Sequence, residues 1–268
     1  MIVRIDDPDD PRLAPYRAVR ERDLVGREGL FVAEGRVVLE KAVVAMPDAI
    51  QSVLIAEHRM DALSGVLAGL PQATPVYAAA QAAMDAVVGF PIHRGILAIG
   101  RRPERDAAAL LSGLPARALV VGLVGIANHD NMGGVFRNAA AFGADAVLLD
   151  DTCCDPLYRK AIRVSVGAAL STPFARVGDA AAMIGRLADA GFETVALSPA
   201  GETELRELRA AHRTAALFGA EGPGLPPEVL AQCRTVRIAM AGGFDSLNVA
   251  TTSGIVLHAL GTAATSAT

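Results

Sequence analysis

Short apolar runs alternate along this chain with stretches whose apolar residues recur at three- and four-residue spacing, the mark of strands interleaved with amphipathic helices. In the first third the strand-like runs are LFVAE at 30–34, QSVLIA at 51–56, PVYA at 75–78 and GILAIG at 95–100. Helical spacing falls between them, over Val37 to Val44, around Met60 to Leu67, and over Gln81 to Val88. The second series opens with ALVVGLVGI at 118–126, apolar enough for a strand buried on both faces of a parallel sheet. Further strands are predicted at 145–150, 172–177, 192–198, 214–220 and 235–240, with helices over Val135 to Phe142, Ala180 to Ala190 and about Leu247 to Leu260. Arg101 to Ala118 mixes charge, Pro and Gly around one short helix and reads as a linker. The pattern predicts two α/β domains, 1–112 and 113–268, the second a mostly parallel sheet covered by helices.

Composition narrows this picture without changing it. The 268 residues are 52% hydrophobic, enough for a substantial core in each domain. No run of about 18 apolar residues occurs, and the opening MIVRIDDPDDP is acidic where a signal peptide is basic and then apolar, so a soluble, cytoplasmic protein with no membrane association is expected. Cys153, Cys154 and Cys233 lack the spacing of a zinc site or a disulfide framework and read as ordinary reduced thiols, and no metal is expected. A net charge of −4 argues against indiscriminate coating of nucleic acid. The basic residues are nevertheless almost all arginine, grouped at Arg17, Arg20, Arg22 and Arg27, at Arg94, Arg101, Arg102 and Arg105, and at Arg159, Lys160 and Arg163. Each group is either solvated surface or part of a local RNA-binding face.

Three strings in the second domain place polar side chains beside glycines where strand-like runs end, which is where open α/β sheets collect ligands. In NMGGVFRNA, Gly133 and Gly134 follow Asn131 and precede a helix carrying Arg137. Asn131 is either a ligand-orienting group or a helix cap, and Arg137 either a site residue or an exposed helical arginine. FGAEGPGL carries Gly219, Glu221, Gly222 and Gly224 with GxxGxG spacing, which is late in the chain and wrong for a dinucleotide fingerprint. It is a turn that wraps a ligand or a plain strand-to-helix turn ended by Pro226 and Pro227. IAMAGGFDSLNVATTSGI sets Met240 at a strand end and Ser246 and Asn248 at the start of the last helix, with Ser246 the apparent N-cap.

Taken in order, these strings resemble the SpoU (TrmH) family of RNA ribose 2′-O-methyltransferases, of the SPOUT class. Asn131 with Arg137, the GxEGxG turn at Gly219, and SLNVA from Ser246 correspond to the family's three motifs. RKAIRVSVGA at 159–168 is similar to its basic connector, and FVAEGRVVLEKAV from Phe31 to the substrate-binding domain that precedes many ribosomal-RNA members. Ala239 departs from the family's usual proline. The resemblance implies S-adenosyl-L-methionine as methyl donor and a C-terminal trefoil knot, where the elements alone predict an ordinary doubly wound sheet. It implies a homodimer acting on RNA, ribosomal RNA ahead of transfer RNA, with a non-catalytic RNA-binding relative as the alternative. By motif position Gly219, Ile238, Met240 and Leu247 contact the cofactor, while Arg137, Asn131, Glu221, Ser246 and Asn248 form the catalytic set. The family assigns the base to Arg137. Because guanidinium groups stay protonated in proteins, holding a phosphate or stabilising alkoxide charge is an equally physical role.

Overall fold

The computed structural model describes residues 2–17, 24–242, 244 and 246–265. Arg20, Arg22, Gly243, Asp245 and the last residues of the tail lie outside them. The chain forms two compact units, Met1–Pro103 with Leu157–Ser171, and Glu104–Pro156 with Thr172–Thr268. The division therefore falls at 103/104 and not near residue 112. The Ala107–Ser112 helix belongs to the second unit because Ala107 and Leu111 are buried in that unit's core.

In the first unit, strands β1 (Ile2–Ile5), β2 (Leu30–Glu34), β3 (Ile50–Ala56), β4 (Val76–Ala79) and β5 (Ile96–Arg101) pair in the order β1-β4-β3-β5-β2. Only β5 runs against its neighbours. Leu54, Leu97, Ile99 and Val32 fill one face with Met84 and Val87 from the Gln81–Val88 helix. The connector 157–171 joins this unit through an ion pair. Arg159 donates from Nε and Nη2 to Glu34 Oε2 at 2.9 and 2.6 Å, both side chains nearly buried, with its guanidinium 5.0 Å above the Phe90 ring. Gly167, at φ +79°, passes close to Val38 and Lys41 of the Arg36–Ala45 helix.

The second unit holds β6 (Ala118–Leu123), β7 (Ala146–Leu149), β8 (Phe174–Arg176), β9 (Glu193–Leu197), β10 (Thr203–Glu204), β11 (Arg213–Phe218) and β12 (Arg234–Arg237). All are parallel, in the order β10-β12-β9-β11-β6-β7-β8. The chain moves one way across the sheet from β6 to β8, then returns to the other side of β6. Such a reversal opens a crevice at the carboxyl ends of the strands. Leu123, Phe218 and Leu197 end their strands there, in register with Val236 near the end of β12.

Two helices that meet over this sheet differ from the sequence expectation. The first spans His129–Ala141, with Asn128 as its N-cap accepting from Asp130 N at 2.7 Å and Asn131 N at 3.4 Å. Asn131 is therefore not the cap, and Gly133 and Gly134 lie within the helix. A Cβ on Gly134 would stand 2.6 Å from Ala250 Cβ on the last helix, so glycine there permits a close crossing. Gly254 against Asn138 and Gly261 against Phe142 continue the same contact. The last helix, Val249–Thr265, is capped by Asn248 and not Ser246: Asn248 Oδ1 accepts from Ala250 N at 2.9 Å and Thr251 N at 3.2 Å. Among the described residues no helix is long and apolar enough to cross a membrane.

Candidate active site

At the carboxyl ends of β9, β11 and β12 lies a cavity of about 550 Å³, within the range of small-molecule sites. Its walls are apolar, among them Leu197, Phe218, Leu230, Val236 and Ile238, and Ser198, Glu221, Ser246, Asn248 and Thr252 supply polar groups. Below it the GAEGPG turn closes on itself: Gly224 N donates to Ala220 O at 3.0 Å, and Gly222 and Gly224 take φ of +86° and +70°. Gly219 has no room for a side chain, since a Cβ would lie 2.2 Å from the Gly224 carbonyl carbon.

The three motif strings converge on one side chain. Asn248 Nδ2 donates to Asn131 Oδ1 at 2.9 Å and to Glu221 Oε1 at 2.9 Å, while its Oδ1 caps the last helix. Asn131 is buried at 6% exposure, and Glu221 is exposed at the cavity rim. Asn138 reinforces the convergence by donating from Nδ2 to Ala250 O at 2.7 Å and Ser253 Oγ at 3.0 Å. Of the residues with which Asn248 bonds, Asn131 is held by helix packing and Glu221 by the closed 219–224 turn.

A second loop steadies this end of the sheet. Asp150, almost fully buried, accepts from Cys153 N at 2.9 Å and Thr152 Oγ1 at 2.8 Å, and Gly125 N lies 3.2 Å from each of its oxygens. Arg176 clamps the same loop by donating to the carbonyls of Asp150 and Cys153 at 3.0 and 3.1 Å. Gly125 in turn passes the second motif, with its Cβ position 3.3 Å from Ala220 Cβ. Burial pushes the Cys153 thiol up to about 12, so it packs as a neutral group.

Gly219, Ile238, Met240 and Leu247 all line the cavity, as do Glu221, Ser246 and Asn248. Asn131 reaches it through Asn248. Arg137 stands apart: it is exposed, does not line the cavity, and makes no hydrogen bond or ion pair among the described residues. Six positions along a helix turn a side chain about 120° away from that of Asn131. Ser198, Pro199 and Thr252 are lining residues that sequence reasoning missed. The signal for Ser198 and Pro199 was available, since they directly follow a strand next to β11. Among the described residues, no cluster of three or more His, Cys, Asp or Glu could hold a metal.

A family model described as the SpoU rRNA Methylase family matches residues 118–258. An uncharacterized tRNA/rRNA methyltransferase from Mycobacterium bovis is 40% identical over 262 residues, covering 94% of this chain and 89% of that protein. Among solved structures, an AdoMet-bound rRNA methyltransferase from Sinorhizobium meliloti superposes with a TM-score of 0.82 at 21% identity, covering 100% of this chain and 99% of the other. An RNA 2′-O ribose methyltransferase matches with a TM-score of 0.75 at 26% identity, covering 96% and 97%.

Proposed function

The chain belongs to the SpoU rRNA methylase family, and from that premise we propose that it is an RNA ribose 2′-O-methyltransferase using S-adenosyl-L-methionine. Ribosomal RNA is the substrate favoured over transfer RNA, and the cytoplasm the site of action. The observation that carries this reading is the meeting of three distant motif strings at Asn248, at the rim of a cavity of fitting size.

The residues present suit the donor. Leu197, Phe218, Ile238 and Leu247 offer apolar walls for a flat heterocycle, and the Gly219–Gly224 and Ile238–Met240 stretches offer backbone N–H and C=O groups to its polar edges. When bound, S-adenosyl-L-methionine supplies a methyl group activated on a sulfonium centre. The chain's own work is positioning and charge. Asn131, Ser246 and Asn248 orient the ribose, Glu221 holds Asn248 in place, and Arg137 grips the neighbouring phosphate or stabilises the developing alkoxide. A guanidinium stays protonated, which favours that role over proton removal.

Because Arg137 points away from its own cavity, the reading includes a homodimer in which it serves the partner's site. A trefoil knot in the second unit is also part of the proposal, supported by the packing of the 219–224 turn against the segment entering the last helix. The N-terminal domain is the RNA substrate-binding domain.

Thermal shift with S-adenosyl-L-methionine, its demethylated product and NAD tests the cofactor, since a ligand of the folded state raises its apparent stability. A response to NAD alone would overturn the reading. Transfer of labelled methyl to deproteinised ribosomal and transfer RNA, followed by alkaline hydrolysis, tests the rest: 2′-O-methylation leaves alkali-resistant dinucleotides.

A further inference from the structure

One end of the first unit's sheet brings together residues far apart in sequence. Strands β1, β2, β3 and β4 finish there, and β5 begins. Two arginines from separate turns reach the surface at that end. Arg59, just ahead of the Met60–Leu67 helix, runs its stem past Gly95, whose Cβ position lies 3.7 Å from Arg59 Cγ. Arg94 lies across Gly35, whose Cβ position lies 2.9 Å from Arg94 Cδ. Gly35 and Gly95 belong to neighbouring strand ends, Gly35 N bonding Ile96 O at 3.0 Å and Ala56 N bonding Gly95 O at 2.9 Å.

Neither member of this pair has a carboxylate partner among the described residues, whereas several other cations of the unit do. Arg4 is held by Glu57 at 2.8 Å, Arg36 by Glu40 at 2.6 Å, and Arg159 by Glu34 at 2.6 Å. Arg59 and Arg94 are exposed and make no hydrogen bond or ion pair among the described residues. His58 and His93, their chain neighbours, are exposed too. Their planar forks are thereby available to hold an anion in bidentate fashion.

We propose that this sheet end binds the phosphate backbone of the RNA substrate, Arg59 and Arg94 each taking one phosphate. The inference rests on the methyltransferase reading and names where the substrate is gripped away from the reacting ribose. It also redraws the arginine groups seen in sequence. Arg94 and Arg101 sit at opposite ends of β5, about 20 Å apart, while Arg59 joins Arg94 from 35 residues upstream.

The test is the salt dependence of RNA binding by the full-length protein, followed by anisotropy of a labelled 20-nucleotide single-stranded RNA. Each neutralised phosphate of a single strand contributes about 0.7 to the slope of log affinity against log salt. The double variant Arg59→Gln/Arg94→Gln should flatten that slope by about 1.4, so that the wild-type advantage shrinks roughly sevenfold between about 50 and 200 mM salt. Arg12→Gln, which removes an arginine already paired with Asp10, should leave the slope unchanged. The thermal shift with S-adenosyl-L-methionine should be the same in all three proteins. An unaltered slope in the double variant, with wild type still methylating RNA, overturns this inference alone. Equal loss of binding to poly-glutamate and to RNA assigns the surface to an acidic protein and overturns it as well. A wild type that neither binds RNA nor responds to S-adenosyl-L-methionine takes down both readings.

Discussion

Asn248 carries three jobs in one side chain, and substitution can separate them. Its Oδ1 caps the last helix, and its Nδ2 bridges Asn131 and Glu221. In Asn248→Ala the cap is lost, at about 1 kcal/mol. The amide oxygen of buried Asn131 also loses its donor, a desolvation cost of about 1–3 kcal/mol. The bond to exposed Glu221 adds little, and water can enter beside the exposed Asn248 site, so a net loss of about 2 kcal/mol is expected. For a domain of this size that lowers Tm by about 4–8 °C. Asn248→Asp keeps the capping oxygen and places negative charge at a helix N-terminus, worth about 0.3–1 kcal/mol. It also sets a carboxylate against Asn131 Oδ1 and the Glu221 carboxylate, a repulsion of about 1 kcal/mol in water. Urea unfolding should therefore rank wild type above Asn248→Asp and Asn248→Asp above Asn248→Ala, while both variants lose most of the thermal shift with S-adenosyl-L-methionine. A loss below about 0.5 kcal/mol in Asn248→Ala, or a reversed order of the two variants, would refute the cap and bridge assigned here.

The helix crossing gives a second test. Gly134→Ala gains up to about 1 kcal/mol of helix propensity, but its methyl meets Ala250 at 2.6 Å, so the variant should be less stable than wild type and Gly134→Ala/Ala250→Gly more stable than Gly134→Ala; a double-mutant cycle in urea measures the coupling. Gly219→Ala drives a methyl into backbone at 2.2 Å and should weaken S-adenosyl-L-methionine binding by about 1–3 kcal/mol, read by calorimetry. Arg137→Ala should leave Tm and cofactor affinity intact and abolish turnover. Mixing Arg137→Ala with Gly219→Ala subunits should restore activity if each site combines residues of two protomers; no restoration, with mixed dimers shown to form, contradicts the shared site. Cys153 predicts a pH effect. Its thiol is raised by burial to about 12 in the fold and is about 8.5 when unfolded, so it contributes stability below that lower value that is lost as pH climbs toward 12. Cys153→Ala should flatten the fall in stability between about pH 9 and 11, by up to about 1.4 kcal/mol per pH unit, in urea titrations.

What the sequence reveals depends on how local the deciding contact is. The central strands β6, β7 and β11 are buried almost throughout, so they are legible within a residue or two at most ends. The edge strand β1 is not: of IVRI only Ile5 is buried, and it gains strand geometry from pairing with β4, about 70 residues away. The same logic hides the start of the Arg137 helix. Two adjacent glycines argue for a loop on propensity alone, yet Gly134 is helical because Ala250 lies against it, a contact across 116 residues. Likewise the connector 157–171 lies within the second domain in sequence but packs with the first unit, where Arg159 pairs with Glu34. The candidate site shows both cases at once. Its residue types are visible in the motifs, because glycines and small amides have few alternatives in tight turns. Which of those residues bond together is not visible, because Asn248, Asn131 and Glu221 meet only after two helices cross at positions too small to carry side chains. Arg137 follows from that crossing. Asn131 and Arg137 lie three positions to either side of Gly134, so once Gly134 is seated against Ala250 they flank that contact in opposite senses, and Arg137 turns to the side away from Asn131 and the cavity.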